Sequence, residues 1–310
     1  MREIQAHEAG RVPRPDDRPQ WLLDLAAGQP GQGLAHDVGA LGVRQQLAHV
    51  LAGQDEYLHE GLQPGRRVPR GGKAAALARI ASSVRYKVFQ VTYTGEVRVG
   101  GPSDTREING LTVTKIAVGP MDNNAYLLRC ASTGQALLID AANEADRLIE
   151  MIGDIPVGTI VTTHRHFDHW QALPELQTRT GAVVVAHPAD ADELPVEVGH
   201  RAEHGEVLTF GDCSVSLIHL RGHTPGSLAV VYDAAGRLAD SPHVFTGDSL
   251  FPGGVGKTNS PEDFTSLLTD VSERLFGQLP DATWVYPGHG NDTTLGTERP
   301  HLGEWRERGW

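Results

Sequence analysis

Thr159-Ile160-Val161-Thr162-Thr163-His164-Arg165-His166-Phe167-Asp168-His169 joins a β-branched run to a cluster of histidines and a carboxylate. The apolar half predicts a buried strand. Side chains at i, i+2 and i+4 of an extended segment share a face, so His164, His166 and Asp168 are expected to converge on one point, with Arg165 and Phe167 turned away. His169 then serves a neighbouring point as the chain turns into a helix predicted over residues 170–179. Imidazole and carboxylate are the donors that a borderline divalent cation such as zinc takes. Surface histidines beside a helix-capping aspartate would be the bland reading, and four ligand-type residues within six positions argue against it.

Outward from this cluster, apolar runs end repeatedly in a ligand-type residue. Val215-Ser-Leu-Ile-His-Leu-Arg-Gly leads to His223, Val244-Phe-Thr-Gly to Asp248, and Trp284-Val-Tyr-Pro-Gly to His289. Strands of one packed core bring such ends to a common edge, where loops carry function on a rigid frame. Gly222, Gly247 and Gly288 precede these three residues and permit the sharp turns that a crowded site requires. His164, His166, Asp168, His169, His223, Asp248 and His289 together make a complement for two cations. The remaining histidines, His7, His36, His49, His59, His187, His200, His204, His219, His243 and His301, are expected to be structural or solvated.

The regular pattern occupies only part of the chain. Residues 1–90 are rich in Pro and Gly and poor in β-branched residues. They are expected to be a disordered extension or an upstream translation not made in the cell, ahead of a folded domain over residues 91–310. Within that domain, strands are predicted over 111–118, 124–129, 135–140, 182–186, 207–210, 214–219, 227–232, 244–246 and 283–286. Helices are predicted over 144–152, capped by Asn143, and over 262–276, after the start signal Ser260-Pro261. The segment 187–206 is expected to be a connecting loop. Gly253-Gly-Val-Gly256-Lys257-Thr258 imitates the end of a phosphate-binding loop, but Phe251 stands where that motif requires its first glycine.

Composition narrows the function classes. A formal charge of −12 over 310 residues argues against a general nucleic-acid binder, which needs a basic surface to displace counterions. No stretch approaches the ~18 apolar residues of a membrane span, and the N-terminus lacks the apolar core of a secretory signal. Cys130 and Cys213 are the only cysteines, far apart in sequence, which suits a reducing cytoplasm and ordinary thiols.

The motifs His164-Arg-His166-Phe-Asp168-His169, Gly222-His223-Thr-Pro-Gly-Ser, Phe245-Thr-Gly-Asp248-Ser and Pro287-Gly-His289-Gly, in this order, resemble the metallo-β-lactamase superfamily, and its glyoxalase II-like (hydroxyacylglutathione hydrolase-like) branch in particular. The resemblance implies an α+β fold, a four-layer αββα sandwich with a dinuclear site at one edge. By motif position, His164, His166 and His223 would hold the first metal, and Asp168, His169 and His289 the second, with Asp248 bridging. Two divalent ions are implied, zinc being expected and iron or manganese the alternatives. A basic residue placed like Lys257 would contact the carboxylate of a thiol carrier. Asn259 and Asn291 stand where tyrosines are common near the carrier, and Arg221 replaces the usual proline before Gly-His-Thr. The C-terminal helical domain of the full-length enzymes is not expected.

The implied activity is hydrolysis of a thioester or related activated ester, with a small-molecule substrate, no nucleic-acid or membrane partner, and the oligomeric state left open. Two cations about 3.5–4 Å apart lower the pKa of a bridging water toward 7. Alternatives are a lactone or β-lactam hydrolase, a mono-iron persulfide dioxygenase, a nuclease of this fold, and a non-catalytic binding module.

Overall fold

The computed structural model of the chain describes residues 93–233 and 242–309. The expected N-terminal extension, residues 1–90, lies outside the described residues.

The seven-stranded sheet comes first along the chain. Strands β1 (Asp104–Ile108), β2 (Leu111–Val118), β3 (Asn123–Cys130) and β4 (Ala136–Ile139) run as an antiparallel meander. Helix α1 (Ala145–Ile152) then crosses over to β5 (Val157–Val161), which pairs parallel with β4. A 3-10 turn over Phe167–His169, helix α2 (Leu173–Thr180), strand β6 (Val183–Ala186), the short helix α3 (Pro188–Ala191) and β7 (His200–Arg201) complete the sheet, with β6 and β7 added in parallel.

The second sheet begins with β8 (Val207–Phe210), β9 (Cys213–His219), β10 (Leu228–Tyr232) and β11 (His243–Gly247), again antiparallel. A small hairpin, β12 (Leu250–Phe251) and β13 (Gly254–Val255), stands apart from both sheets. Helix α4 (Pro261–Asp270) continues through a π-helical stretch, Val271–Phe276, and returns the chain to β14 (Trp284–Pro287), parallel to β11. β15 (Thr293–Thr294) closes the edge before α5 (Leu295–Glu298) and α6 (Leu302–Arg308).

Strand alternation sorts the core into three layers. In β2, Leu111 and Val113 face the other sheet, and in β10 so do Leu228, Val230 and Tyr232. Ile116, Val118, Leu138 and Ile160 instead point outward beneath α1 and α2, which answer with Leu148, Ile152, Leu173 and Leu176. Ala229, Val231 and Val244 do the same on the second sheet, under Leu267, Leu275 and Trp305. Both sheets are thus covered on both faces, which gives the αββα sandwich and explains why β4 and β10 are apolar at every position. Truncating a fully buried member such as Leu137 to alanine costs about 2–5 kcal/mol.

The predicted strands are all present, within a residue or so at their ends. The helices differ at their starts. Asn143 does not cap α1: its Oδ1 accepts from Glu144 N at 2.7 Å, and Glu144 takes a left-handed backbone, φ 48°, as the residue before the helix. The helix predicted from 170 begins at Leu173, because the 3-10 turn occupies the chain up to His169 and Trp170 turns back to donate its Nε1–H to Arg165 O at 2.8 Å. The segment 187–206 contains α3 and β7 and is only partly loop.

Candidate metal centre

The C-terminal ends of β4, β5, β9, β11 and β14 meet at one edge of the sandwich. At the end of β4, Asp140 adopts φ 57°, and its buried carboxylate accepts from Thr163 N at 2.7 Å, Thr163 Oγ1 at 2.8 Å and His169 Nδ1 at 2.8 Å. Those bonds hold the chain leaving β5. His164 and His166 follow in extended geometry, but the alternation stops there. The 3-10 turn carries Asp168 away from that face, so Asp168 groups with His169 and His289 and not with His164 and His166. A turn advances side chains by about a third of a circle per residue, not half.

The second sheet brings the other three side chains. His223 follows Gly222, whose φ of 132° is open to glycine and strained for other residues. Asp248 follows the end of β11. His289 follows Gly288, where a Cβ would stand 2.1 Å from Asp248 Oδ1. All seven residues are brought together, in three interlocking groups whose donor atoms lie within 4.8 Å of one another: His164, His166 and His223; His164, His169 and Asp248; Asp168, His169 and His289. Asp248 reaches both ends, with Oδ1 3.4 Å from His169 Nε2 and Oδ2 3.7 Å from His223 Nε2 and 3.3 Å from His289 Nε2.

Hydrogen bonds to outer partners orient three of the rings. His169 donates from Nδ1 to Asp140, His223 from Nδ1 to Lys257 O at 2.7 Å, and His289 from Nδ1 to Met121 O at 2.8 Å. Their Nε2 atoms therefore turn inward, as ligands held by an outer partner do. Inside, His223 Nε2 sits 2.9 Å from His166 Nδ1 and 3.3 Å from His164 Nε2, and His169 Nε2 lies 3.2 Å from His289 Nε2. Lone pairs so close repel unless a proton or a cation lies between them. Burial pushes His164, His166 and His223 below the ordinary imidazole range, so this group offers neutral nitrogens.

The other end is different. Burial opposes charge on His169 and His289, yet the carboxylates of Asp248, Asp140 and Asp168 outweigh it and raise both to about 10. Burial likewise opposes charge on Asp168 and Asp248, and the neighbouring imidazoles hold both carboxyls well below their usual range. The buried Asp248 Oδ1 still makes no well-formed hydrogen bond. Neutral imidazoles at one end, carboxylates calling for positive charge at the other, and an orphaned oxygen between them fit two divalent cations.

Lys257 and Asn259 lie on the exposed rim beyond β13, and it is the backbone carbonyl of Lys257, not its side chain, that touches the centre. The described histidines expected to be structural stay outside the cluster: His200 pairs with Glu206, His243 with the Tyr286 hydroxyl, His301 with Glu304, and His187 stacks on His219. His7, His36, His49 and His59 lie outside the described residues. Sequence reasoning missed Asp140 and Asn123, whose Nδ2 donates to Asp168 Oδ2 at 2.8 Å. The abrupt end of the apolar run Leu137-Leu138-Ile139 in Asp140 was the available signal for the first; Asn123 lies in a polar turn sequence and gave none.

The sequence profile described as the metallo-beta-lactamase superfamily matches residues 118–289, which spans all seven candidate ligands. The chain belongs to the metallo-beta-lactamase superfamily. Among curated members, a probable metallo-hydrolase of Bacillus subtilis, YqgX, is 31% identical over 206 residues, covering 60% of this chain and 93% of that protein. A hydroxyacylglutathione hydrolase of Fuscovulum blasticum is 33% identical over 171 residues, covering 54% of this chain and 62% of that one, in keeping with the glyoxalase II-like branch. Among solved structures, the BLEG-1 B3 metallo-beta-lactamase superposes with a TM-score of 0.55 at 27% identity, covering 62% of this chain and 98% of its own. This superfamily member is therefore a metal-dependent hydrolase or related enzyme of that fold. Among the described residues no helix is long and apolar enough to cross a membrane.

Proposed function

We propose that residues 91–310 form a dinuclear metallohydrolase domain that cleaves a thioester or related activated ester of a small-molecule carrier, in the manner of glyoxalase II, in the cytoplasm. The observation that carries this reading is the position of Asp248, whose carboxylate lies 3.7 Å from His223 of one group and 3.3–3.4 Å from His289 and His169 of the other. In this reading His164, His166 and His223 hold one cation, Asp168, His169 and His289 the other, and Asp248 spans them. Zinc is the ion that the donor set suits, with iron or manganese as alternatives.

When bound, such a pair lowers the pKa of water toward 7 and polarises a carbonyl. The chain's own contribution is positional. Thr163, Asp140, Met121 O and Lys257 O hold the imidazoles of His164, His169, His289 and His223 in place. Asn123 holds the carboxylate of Asp168. Lys257, exposed beside the His223 loop, receives an anionic part of the carrier, with Asn259 next to it. A departing thiolate, with a thiol pKa near about 8.5, needs little protonation, so a thioester suits a centre whose titratable side chains all serve as ligands.

The test is turnover by the full chain, stripped by chelator and reloaded with zinc, against acyl thioesters of several carrier thiols and against lactones and β-lactams. Thioester hydrolysis that chelator abolishes and zinc restores is expected. Full activity in a His166→Ala, Asp248→Ala double variant would overturn the reading. A single iron per chain with thiol-dependent oxygen uptake would replace it by the dioxygenase alternative.

A further inference from the structure

Two buried carboxylates outside the ligand set stand behind opposite ends of the centre. Asp190, in α3, is 1% exposed. Its Oδ2 accepts from Arg165 N at 3.1 Å and from Thr224 Oγ1 at 2.5 Å, and its Oδ1 accepts from Gly226 N at 2.9 Å. Arg165 lies between His164 and His166, and Thr224 follows His223, so one carboxylate ties together the two loops that carry the three-histidine group. The approach at Gly226 is so close that a Cβ there would stand 2.7 Å from Asp190 Cγ.

Asp292, three positions after His289, plays the matching part. Its Oδ1 accepts from Lys115 Nζ at 2.6 Å, and its Oδ2 from Tyr93 OH at 2.6 Å and Trp284 Nε1 at 2.9 Å. Lys115 shares the inner face of β2 with Leu111 and Val113 and is fully buried. Its other two N–H bonds go to Gly95 O and Gly290 O, each at 2.7 Å, so all three donors of the ammonium are used. A buried ion pair is weak grounds for stability, since an apolar pair of similar volume often does as well. What this one does provide is a fixed geometry for the loop after β14, where Gly290 adjoins His289.

We propose that Asp190 and the Lys115–Asp292 pair are positioning residues that set the two ends of the metal centre independently, Asp190 for His164, His166 and His223, and Lys115–Asp292 for His289 and its group. The proposal rests on the dinuclear reading above. It extends the working machinery to three side chains that contact no expected ligand directly, and it places Tyr93 and Gly95, ahead of the first strand, in the support of a loop nearly two hundred positions away.

The experiment titrates the full chain, freed of metal, with cobalt(II) alone, following heat and visible absorption, with melting temperature in parallel. His223→Ala and His289→Ala assign the two binding steps. Asp190→Asn is expected to weaken the first step about 10- to 100-fold while leaving the second unchanged, and a Lys115→Met, Asp292→Asn double variant is expected to do the reverse. Should the double variant fold poorly, Tyr93→Phe removes one Asp292 contact without touching charge and is expected to weaken the same step to a lesser degree. A general loss of stability lowers both affinities together, so equal losses, or none, would overturn the proposal. A wild-type chain that takes up a single equivalent would instead overturn the dinuclear reading.

Discussion

The two sheets supply the centre in opposite ways. The seven-stranded sheet delivers His164, His166, Asp168 and His169 from one turn, whereas the six-stranded sheet delivers His223, Asp248 and His289 singly, each from a different strand end. The first arrangement is held locally, by Asp140 on the neighbouring strand; the second depends on the pairing of β9, β10, β11 and β14 along their length. Each triad of ligand-type side chains takes two members from the turn and one from the other sheet. Neither sheet holds a cation site by itself, and the contiguous cluster is a half-site whatever its density.

That contrast can be broken first at Asp248, the residue serving both ends. Asp248→Ala is expected to lower turnover by about a thousandfold or more, the loss of several kcal/mol of transition-state stabilisation, and to reduce metal content at both ends, as read by steady-state kinetics and elemental analysis. His223→Ala, by comparison, is expected to leave about one equivalent of metal. Next in size, Asp140→Asn removes the local support of the turn and is expected to cost about 10- to 100-fold in metal affinity, measured by competition with a chelating dye.

A smaller effect sharpens the other half. Tyr126 donates its hydroxyl to Pro287 O at 2.6 Å, just before the His289 loop, so Tyr126→Phe is expected to cost about 0.5–1.5 kcal/mol by denaturant unfolding. Smallest is a pH effect behind His223. Burial works against the charge of Asp270, but the Arg221 side chain and backbone N–H hold its carboxyl below the usual range, with Arg274 adding to the effect. A depressed carboxylate contributes stability above its unfolded pKa of about 3.9, and that contribution is lost as pH falls through the folded value. Arg221→Ala should therefore melt lower at pH 7 and lose less than wild type on acidification below about pH 4. Because half of the Arg221 side chain faces solvent, the shift is expected to be modest.

The contrast between the sheets also explains what the sequence revealed. The turn was legible because its ligand types are contiguous, and the three strand ends because apolar runs stop at a glycine and then a ligand-type residue. The grouping of Asp168 with His164 and His166 failed because a period of two was extended across a 3-10 turn, which alternation does not detect. Arg221, unexpected before Gly-His-Thr, becomes intelligible in space: its N–H donates to Asp270 at 2.9 Å, a bond that proline could not make. Asn123, Asp190, Lys115 and Asp292 were illegible. Apart from Trp284, their partners lie 20 to 199 positions away, and an isolated Asp or Lys in sequence carries no sign of whom it will meet.

At the seam between the sheets, Asn123 bridges to His289, and Asn124 N donates to Gly288 O at 2.7 Å. On the ribosome, the histidine-rich turn emerges with its final imidazole still 120 positions behind. The group of His164, His166 and His223 can close once residue 223 has left the ribosome, whereas the group of Asp168 and His169 stays open until residue 289 follows.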